Sequence, residues 1–486
     1  MSNTIIGRKY ELNILEQLLK STKAEFLALY GRRRVGKTYL IKNFFSKQAC
    51  NFFYASGIKD AKKHEQLSEF AKQIGKTFYN GAELASRHRW MDALEDLNKA
   101  IEQVPEKTKI VVFLDELPWM ATPRSGLLEA LDYYWNRYWG HNNKLKLVVC
   151  GSSASWIIEK IINNKGGLYN RVTRTMCLAP FTLNETASFL NSVGLKLEHK
   201  LILELYMVFG GIPHYLALIR KGISAQQAID ELCFEKNSPL VYEFERLFAS
   251  LFKNATAYIK LIRVIGQHHY GIGQARLLEE SKSSDGGRTK QRLTALEQAG
   301  FIISFIPQNH KEKGIYYKVI DEFSLFYLYW IEPNLKTILK QDRGNGYWLA
   351  KTKSISHKIW AGYAFESTCF KHLTEIRKAL HIESGATIGN WRYAATKSDL
   401  PGAQIDLLFD REDGVVTICE IKHNEQPFVI DKQYASNLLN KIETYKTTTK
   451  TKKQIFLCFI TVNGLKRSMY SEEIVSGVSV LNDLFK

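Results

Sequence analysis

Over its first third the chain alternates between two patterns of apolar residues. Phe26–Tyr30, Lys109–Glu116 and Leu145–Ser153 are short apolar runs ending in glycine or polar residues, the signature of strands buried on both faces. Between them apolar residues recur at helical spacing: Leu12, Leu15, Leu18 and Leu19 share one face, and Tyr39–Phe45 continues as a helix after the first run. Strands alternating with helices predict a parallel sheet covered on both faces, with ligands at the strands' C-terminal edge. Beyond residue 180 the pattern becomes helical. Thr182-Leu-Asn-Glu185 is a capping box opening helices that run past residue 230, interrupted by Phe209-Gly-Gly-Ile-Pro-His-Tyr215. Residues 255–320 read as three helices (Tyr258–Gln267, Gln274–Ser281, Arg288–Ala299) and a hairpin, Phe301–Ile306 and Ile315–Ile320 about the turn Pro307–Gly314. The aromatic stretch Asp321–Trp330 has the spacing of a core helix. Gln341–Gly346 is the linker candidate. After it come a helix over Ala361–Phe370 and two strands within Gly402–Lys422, around the turn Asp410–Gly414. The expected architecture is α/β in four parts: residues 1–180, 181–250, 251–335 and 340–486.

Chemistry concentrates at the ends of these runs. Gly31-Arg-Arg-Arg-Val-Gly-Lys-Thr38 follows the first strand and opens the next helix. It is a complete G-x-x-x-x-G-K-[ST] phosphate-binding loop. Its glycines let the backbone N–H groups of Gly31, Arg32, Arg33, Arg34, Val35 and Gly36 turn towards phosphate oxygens at a helix N-terminus. Lys37 is expected on the β- and γ-phosphates of ATP, and Thr38 on Mg²⁺. Asp115 and Glu116 close the second strand: Asp115 is placed to hold the Mg²⁺ and Glu116 to orient the attacking water. Near the C-terminus, alternation along the two strands puts Asp406, Glu420 and Lys422 on one face, taking Phe409 to pair with Val415. Two carboxylates suit Mg²⁺ or Mn²⁺, and a lysine beside them can help activate a water against a phosphodiester.

With 67 Lys and Arg against 49 Asp and Glu, the chain carries a formal charge of +18. That excess favours a polyanionic partner through phosphate neutralisation, nucleic acid being the simplest and DNA preferred to RNA. Arg288, Lys290 and Arg292 on one helix, and the lysine-rich stretch Lys446–Lys453, are the candidate contacts. The seven cysteines are scattered with no C-x-x-C pair, and no apolar run approaches a membrane span, so neither zinc, a disulfide framework nor a membrane is indicated. A cytoplasmic location is expected.

Resemblances extend this reading. Ile6-Gly-Arg-Lys-Tyr-Glu-Leu12 ahead of the phosphate loop resembles the start of AAA+ and STAND-type ATPase modules, which implies that Arg8 lies beside the adenine. In those families a polar residue after the third strand senses the γ-phosphate, a role that falls here on Ser152, and Arg171 stands where an arginine finger or sensor is expected. Gly211 and Pro213 resemble the Gly-x-Pro lid motif that contacts the adenosine. Residues 255–320 resemble a winged helix. The order Glu366, Ile388-Gly-Asn-Trp391, Asp406, Glu420-x-Lys422 resembles the PD-(D/E)xK nuclease fold, with Glu366 as an extra acid. The whole order is similar to prokaryotic AAA+/STAND-like archaeal-type ATPases with an appended restriction-endonuclease-like domain. The implied function is ATP-gated, metal-dependent action on nucleic acid. The alternatives are an ATP-dependent switch or DNA-binding regulator with a silent nuclease fold, and an ATPase whose C-terminal domain serves a protein partner or self-association.

Overall fold

The computed structural model describes residues 4–163, 166, 168, 170–306, 314–340, 346–393 and 402–486. The chain divides into two compact units, 1–180 and 181–486. Most of the expected linker Gln341–Gly346 and of the turn Pro307–Gly314 lies outside the described residues.

The first unit is built on five parallel strands: β1 (Glu25–Tyr30), β2 (Cys50–Ser56), β3 (Lys109–Asp115), β4 (Leu145–Cys150) and β5 (Arg174–Cys177), in the order β2-β3-β4-β1-β5. Periodicity finds β1, β3 and β4 because burial on both faces makes them continuously apolar. It does not find β2, an edge strand that mixes buried and half-buried residues, or the four-residue β5. A core of Phe26, Val112, Leu147, Leu94 and Trp139 joins the sheet to its helices. Because every strand runs the same way, all C-terminal ends lie along one edge. β4 sits between β1 and β3, so the turn after Cys150 emerges between the phosphate loop and the acids that close β3.

The second unit starts with helices. Leu183–Ser192 carries the expected capping box: Glu185 N donates to Thr182 Oγ1 (3.2 Å) and Thr182 N to Glu185 Oε2 (3.1 Å). Helices Ala255–Gln267, Gln274–Glu280 and Gly287–Gln298 follow further on, with a three-stranded sheet of β6 (Ile272–Gly273), β7 (Ile302–Phe305) and β8 (Tyr316–Val319) in the order β6-β8-β7. The aromatic stretch is core: the Trp330 ring lies 5.3 Å from that of Trp348, itself 5.5 Å from Trp360.

The last sheet comprises β9 (Thr387–Tyr393), β10 (Ala403–Asp410), β11 (Val415–Lys422), β12 (Gln454–Thr461) and β13 (Gly477–Val480), in the order β13-β12-β11-β10-β9. Pairing is antiparallel from β9 to β11 and parallel from β11 to β13. Leu408, Val416 and Ile418 face the helix Lys432–Thr449, through Leu438 and Tyr445. The other face meets the helices Ile355–Lys371 and Leu373–Ala379: Arg377 lies over the Phe409 ring and Phe365 packs on His423.

Candidate functional site

The nucleotide-site residues gather at the C-terminal edge of the first sheet. Gly31 (φ 142°) must be glycine, because a Cβ there would lie 2.4 Å from the Leu178 carbonyl oxygen. Arg34 (φ 70°) and Gly36 (φ 94°) are also left-handed and bend the loop back over the helix Lys37–Phe45. Lys37 Nζ donates to the carbonyls of Gly31 and Arg32, both at 2.9 Å, so the loop arches round its own ammonium group. Thr38 Oγ1 donates to Asp115 Oδ2 at 2.7 Å. A hydroxyl and a carboxylate in contact at the foot of a phosphate loop are the hard oxygens that Mg²⁺ takes, so the residues fit the ion.

Glu116 follows in a left-handed conformation (φ 46°), and its Oε2 accepts from Ser152 N (3.1 Å) and Ser152 Oγ (2.9 Å). Ser152 thus reaches the site through Glu116. Arg8, 4% exposed, donates to the carbonyls of Val35 (3.2 Å) and Ala179 (2.8 Å), bracing the phosphate loop from outside. One participant was not expected: Tyr54, on β2, directs its hydroxyl to Asp115 Oδ2 at 3.5 Å. Burial raises its pKa first and the Asp115 carboxylate second. The only signal for it in sequence is a short aromatic run that periodicity does not resolve.

Arg171 needs correction. β5 pairs with β1 from Arg174 opposite Leu27 to Cys177 opposite Tyr30, and Thr173 N donates to the Phe26 carbonyl. Residue 171 therefore precedes the start of β5, at the N-terminal edge of the sheet, whereas the phosphate loop leaves the C-terminal edge. It cannot serve this chain's own γ-phosphate. Gly211 and Pro213 belong to the second unit. There Gly211 (φ 64°) accepts from Phe181 N at 2.8 Å and Pro213 opens the short helix Pro213–Leu216.

In the C-terminal sheet the pairing differs by two residues from the expected register: Phe409 lies opposite Thr417, not Val415. An even shift preserves the faces, and continuing this register sets Asp406 across from Glu420. Asp406, Glu420 and Lys422 line one cleft of about 480 Å³, with Asn440, Lys441 and Tyr270. Glu420 is held by cations, since Lys422 Nζ lies 3.4 Å from Oε2 and Lys441 pairs closely with Oε1; Tyr434 Oη donates to Oε2 at 3.3 Å. Burial works against the Lys422 charge, but Glu420 beside it leaves the ammonium above its ordinary pKa. Lys441 and Tyr434 come from the helix covering this face, and nothing in the local pattern singles them out.

Glu366 lines a small cavity together with Asp406. It comes from the helix on the other side of the sheet and pairs with Lys318 of β8 at 2.6 Å. Asp406 accepts from Gln404 Nε2 at 2.7 Å. Among the described residues no three His, Cys, Asp or Glu side chains gather closely enough to hold a metal. The arrangement as it stands does not fit a divalent ion, because lysine ammonium groups already sit against Glu366 and Glu420.

Loop, acids and sheet order together define a P-loop ATPase. Residues 5–219 match the model of an ATPase domain found predominantly in Archaea, and this part of the chain is an archaeal-type ATPase domain that binds and hydrolyses ATP. The chain is similar, at 25% identity over 403 residues, to an uncharacterized protein of Methanocaldococcus jannaschii, covering 81% of this chain and 83% of that one. A 43-residue stretch is 51% identical to an uncharacterized ATP-binding protein of the same organism, 9% of this chain and 73% of that one. Among solved structures, a Walker-type ATPase of Pyrococcus abyssi aligns with a TM-score of 0.49 at 19% identity, over 67% of this chain and 96% of that one. No helix among the described residues is long and apolar enough to cross a membrane.

Proposed function

We propose that ATP binding and hydrolysis in the first unit control a metal-dependent, nuclease-like module in the second that acts on nucleic acid. Thr38 and Asp115 would hold Mg²⁺ at the nucleotide, where it neutralises charge on the phosphates. Lys37 and the loop N–H groups bind and orient those phosphates, and Glu116 positions the attacking water. The observation carrying the nuclease reading is the shared cleft of Asp406, Glu420 and Lys422, on a sheet flanked by helices from both sides. Residues 255–320 are read as a winged helix, with Arg288 and Lys290 exposed on Gly287–Gln298 for contact with DNA phosphates. Arg171, unable to serve its own nucleotide, is left the role of a finger offered to a second copy.

The test is cleavage of labelled DNA and RNA by the full chain with Mg²⁺ or Mn²⁺, with and without ATP. Cutting that depends on ATP, is lost in Asp406→Ala and loses its ATP dependence in Lys37→Ala is the expected result. Cutting undiminished in Asp406→Ala would overturn the assignment. A second reading, an ATP-dependent switch with a silent nuclease fold, is favoured by the lysines already seated on Glu366 and Glu420. It predicts ATP-sensitive DNA binding and no cleavage under any of these conditions.

A further inference from the structure

Tyr270 lines the cleft of Asp406, Glu420 and Lys422, and its side chain is 48% exposed. It comes from the tight turn ahead of β6, where Gly271 N donates to the His268 carbonyl at 2.8 Å and Gly271 is left-handed (φ 89°). A Cβ on Gly271 would lie 2.8 Å from the Phe305 ring, so the turn is packed down on β7. The Tyr363 ring meets that of Tyr270 edge-on, 5.8 Å between centres. Burial first and the Tyr363 hydroxyl second push the Tyr270 pKa up to about 12, so the phenol is neutral. An aromatic side chain is thus held on a constrained turn while half of its surface stays open.

The helix Lys432–Thr449 supplies a second part of the lining. Asn437, Asn440 and Lys441 stand three and four residues apart and so share a face, and both asparagines are exposed. The charged groups of the cleft balance: Lys422 and Lys441 both lie against Glu420, and Asp406 accepts from the Gln404 amide. With no net charge, the cleft has little pull of its own on a phosphate. It offers instead side-chain amides, each with donors and an acceptor, beside an aromatic ring, which is what the edge and the face of a nucleobase take. Its volume of about 480 Å³ is that of a small-molecule pocket, room for one nucleotide and not for a duplex. We infer that the cleft takes one unpaired nucleotide of a nucleic-acid strand, its base stacked on Tyr270 and its edge hydrogen-bonded by Asn437 and Asn440. The substrate class is then single-stranded or locally opened DNA rather than paired duplex. This rests on the proposed action on nucleic acid, and holds whether or not the strand is cut.

The experiment is fluorescence anisotropy with the full chain in EDTA, with and without ATP. Its probes are a labelled single strand of DNA, the same strand annealed to its complement, and a strand of equal length with a tetrahydrofuran abasic site in place of every base. Wild type should bind the intact single strand roughly tenfold or more tightly than the base-free one, and more tightly than the duplex. Tyr270→Ala should lose that preference for bases, binding both single strands as wild type binds the base-free one, whereas Tyr270→Phe, which keeps the ring, should retain it. Asn440→Ala, on an exposed helix position, should weaken binding of the intact strand alone and serves should the Tyr270 variants not fold. Equal affinity of wild type for intact and base-free strands, or duplex bound as tightly as single strand, would overturn the inference while leaving action on nucleic acid standing. A preference for bases untouched in folded Tyr270→Ala and Asn440→Ala would overturn the assignment to this cleft. No binding of any probe would overturn the nucleic-acid reading and the inference with it.

Discussion

Ser152 shows how one residue's role depends on its neighbour. Its backbone N–H and hydroxyl both hold Glu116 Oε2, fixing a carboxylate whose own backbone is in the left-handed region. In the proposed reaction Glu116 orients water, and a carboxylate that has lost the Ser152 hydroxyl, keeping only the backbone N–H, samples other rotamers. Ser152→Ala should therefore lower the ATP turnover rate by roughly 100-fold while ATP affinity changes little, as expected when positioning rather than binding is lost. Unchanged turnover would show that Glu116 is held by other means. Gly31, Lys37 and Thr38 were legible in sequence because loop chemistry is contiguous and its spacing is set by backbone geometry, and Asp115 and Glu116 because they close a continuously apolar run. Tyr54 and the bracing contacts of Arg8 were not, since the groups they touch come from other elements.

At the scale of elements, the Gly-Gly-Ile-Pro segment has a structural demand independent of any ligand. Gly210 and Gly211 both have φ near 64°, and a Cβ on Gly211 would lie 2.2 Å from the Phe181 carbonyl oxygen. That oxygen also accepts from Tyr206 Oη at 2.9 Å. Gly211→Ala should destabilise the second unit by about 1–3 kcal/mol, through a left-handed alanine and a displaced Phe181. A lowered urea midpoint for that unit checks it, and an unmoved midpoint would refute it. The strands show what periodicity can resolve. Runs buried on both faces stand out, whereas the edge strand β2 and the four-residue β5 carry too little contrast. The two-residue difference in the β10–β11 register was equally invisible, because an even shift leaves every side chain on its face.

Across the second unit, His372 links segments 189 residues apart. Its Nε2 accepts from Leu183 N at 2.9 Å, satisfying a helix N-terminal N–H, and Nδ1 lies 2.8 Å from the Thr368 carbonyl. Both contacts are made by the neutral ring with its proton on Nδ1. Burial pushes the pKa down to about 4; the Thr368 carbonyl opposes this and Lys371 adds to it. The folded state therefore binds fewer protons than the unfolded one between pH 4 and pH 6.5. Stability from His372 is complete above pH 6.5 and lost as pH falls towards 4, on the order of 2 kcal/mol by pH 5. Half-buried His423, also pushed down to about 4, acts in the same direction. The melting temperature of the second unit should fall between pH 7.5 and pH 5, and less steeply in His372→Gln. An identical slope in that variant would remove His372 from the account.

The sequence by itself determined the nucleotide chemistry, because phosphate binding needs a contiguous loop whose glycines, lysine and threonine have obligatory spacing. It also determined that Asp406, Glu420 and Lys422 share a face, because strand alternation is a local rule. Only the tertiary structure decided what those groups touch. Glu366 belongs to the opposite helical layer, Arg171 to the wrong edge of its sheet, and Lys318 and Lys441 arrive from other elements to neutralise the acids. Partner choice across layers depends on how elements pack, and no local spacing encodes it.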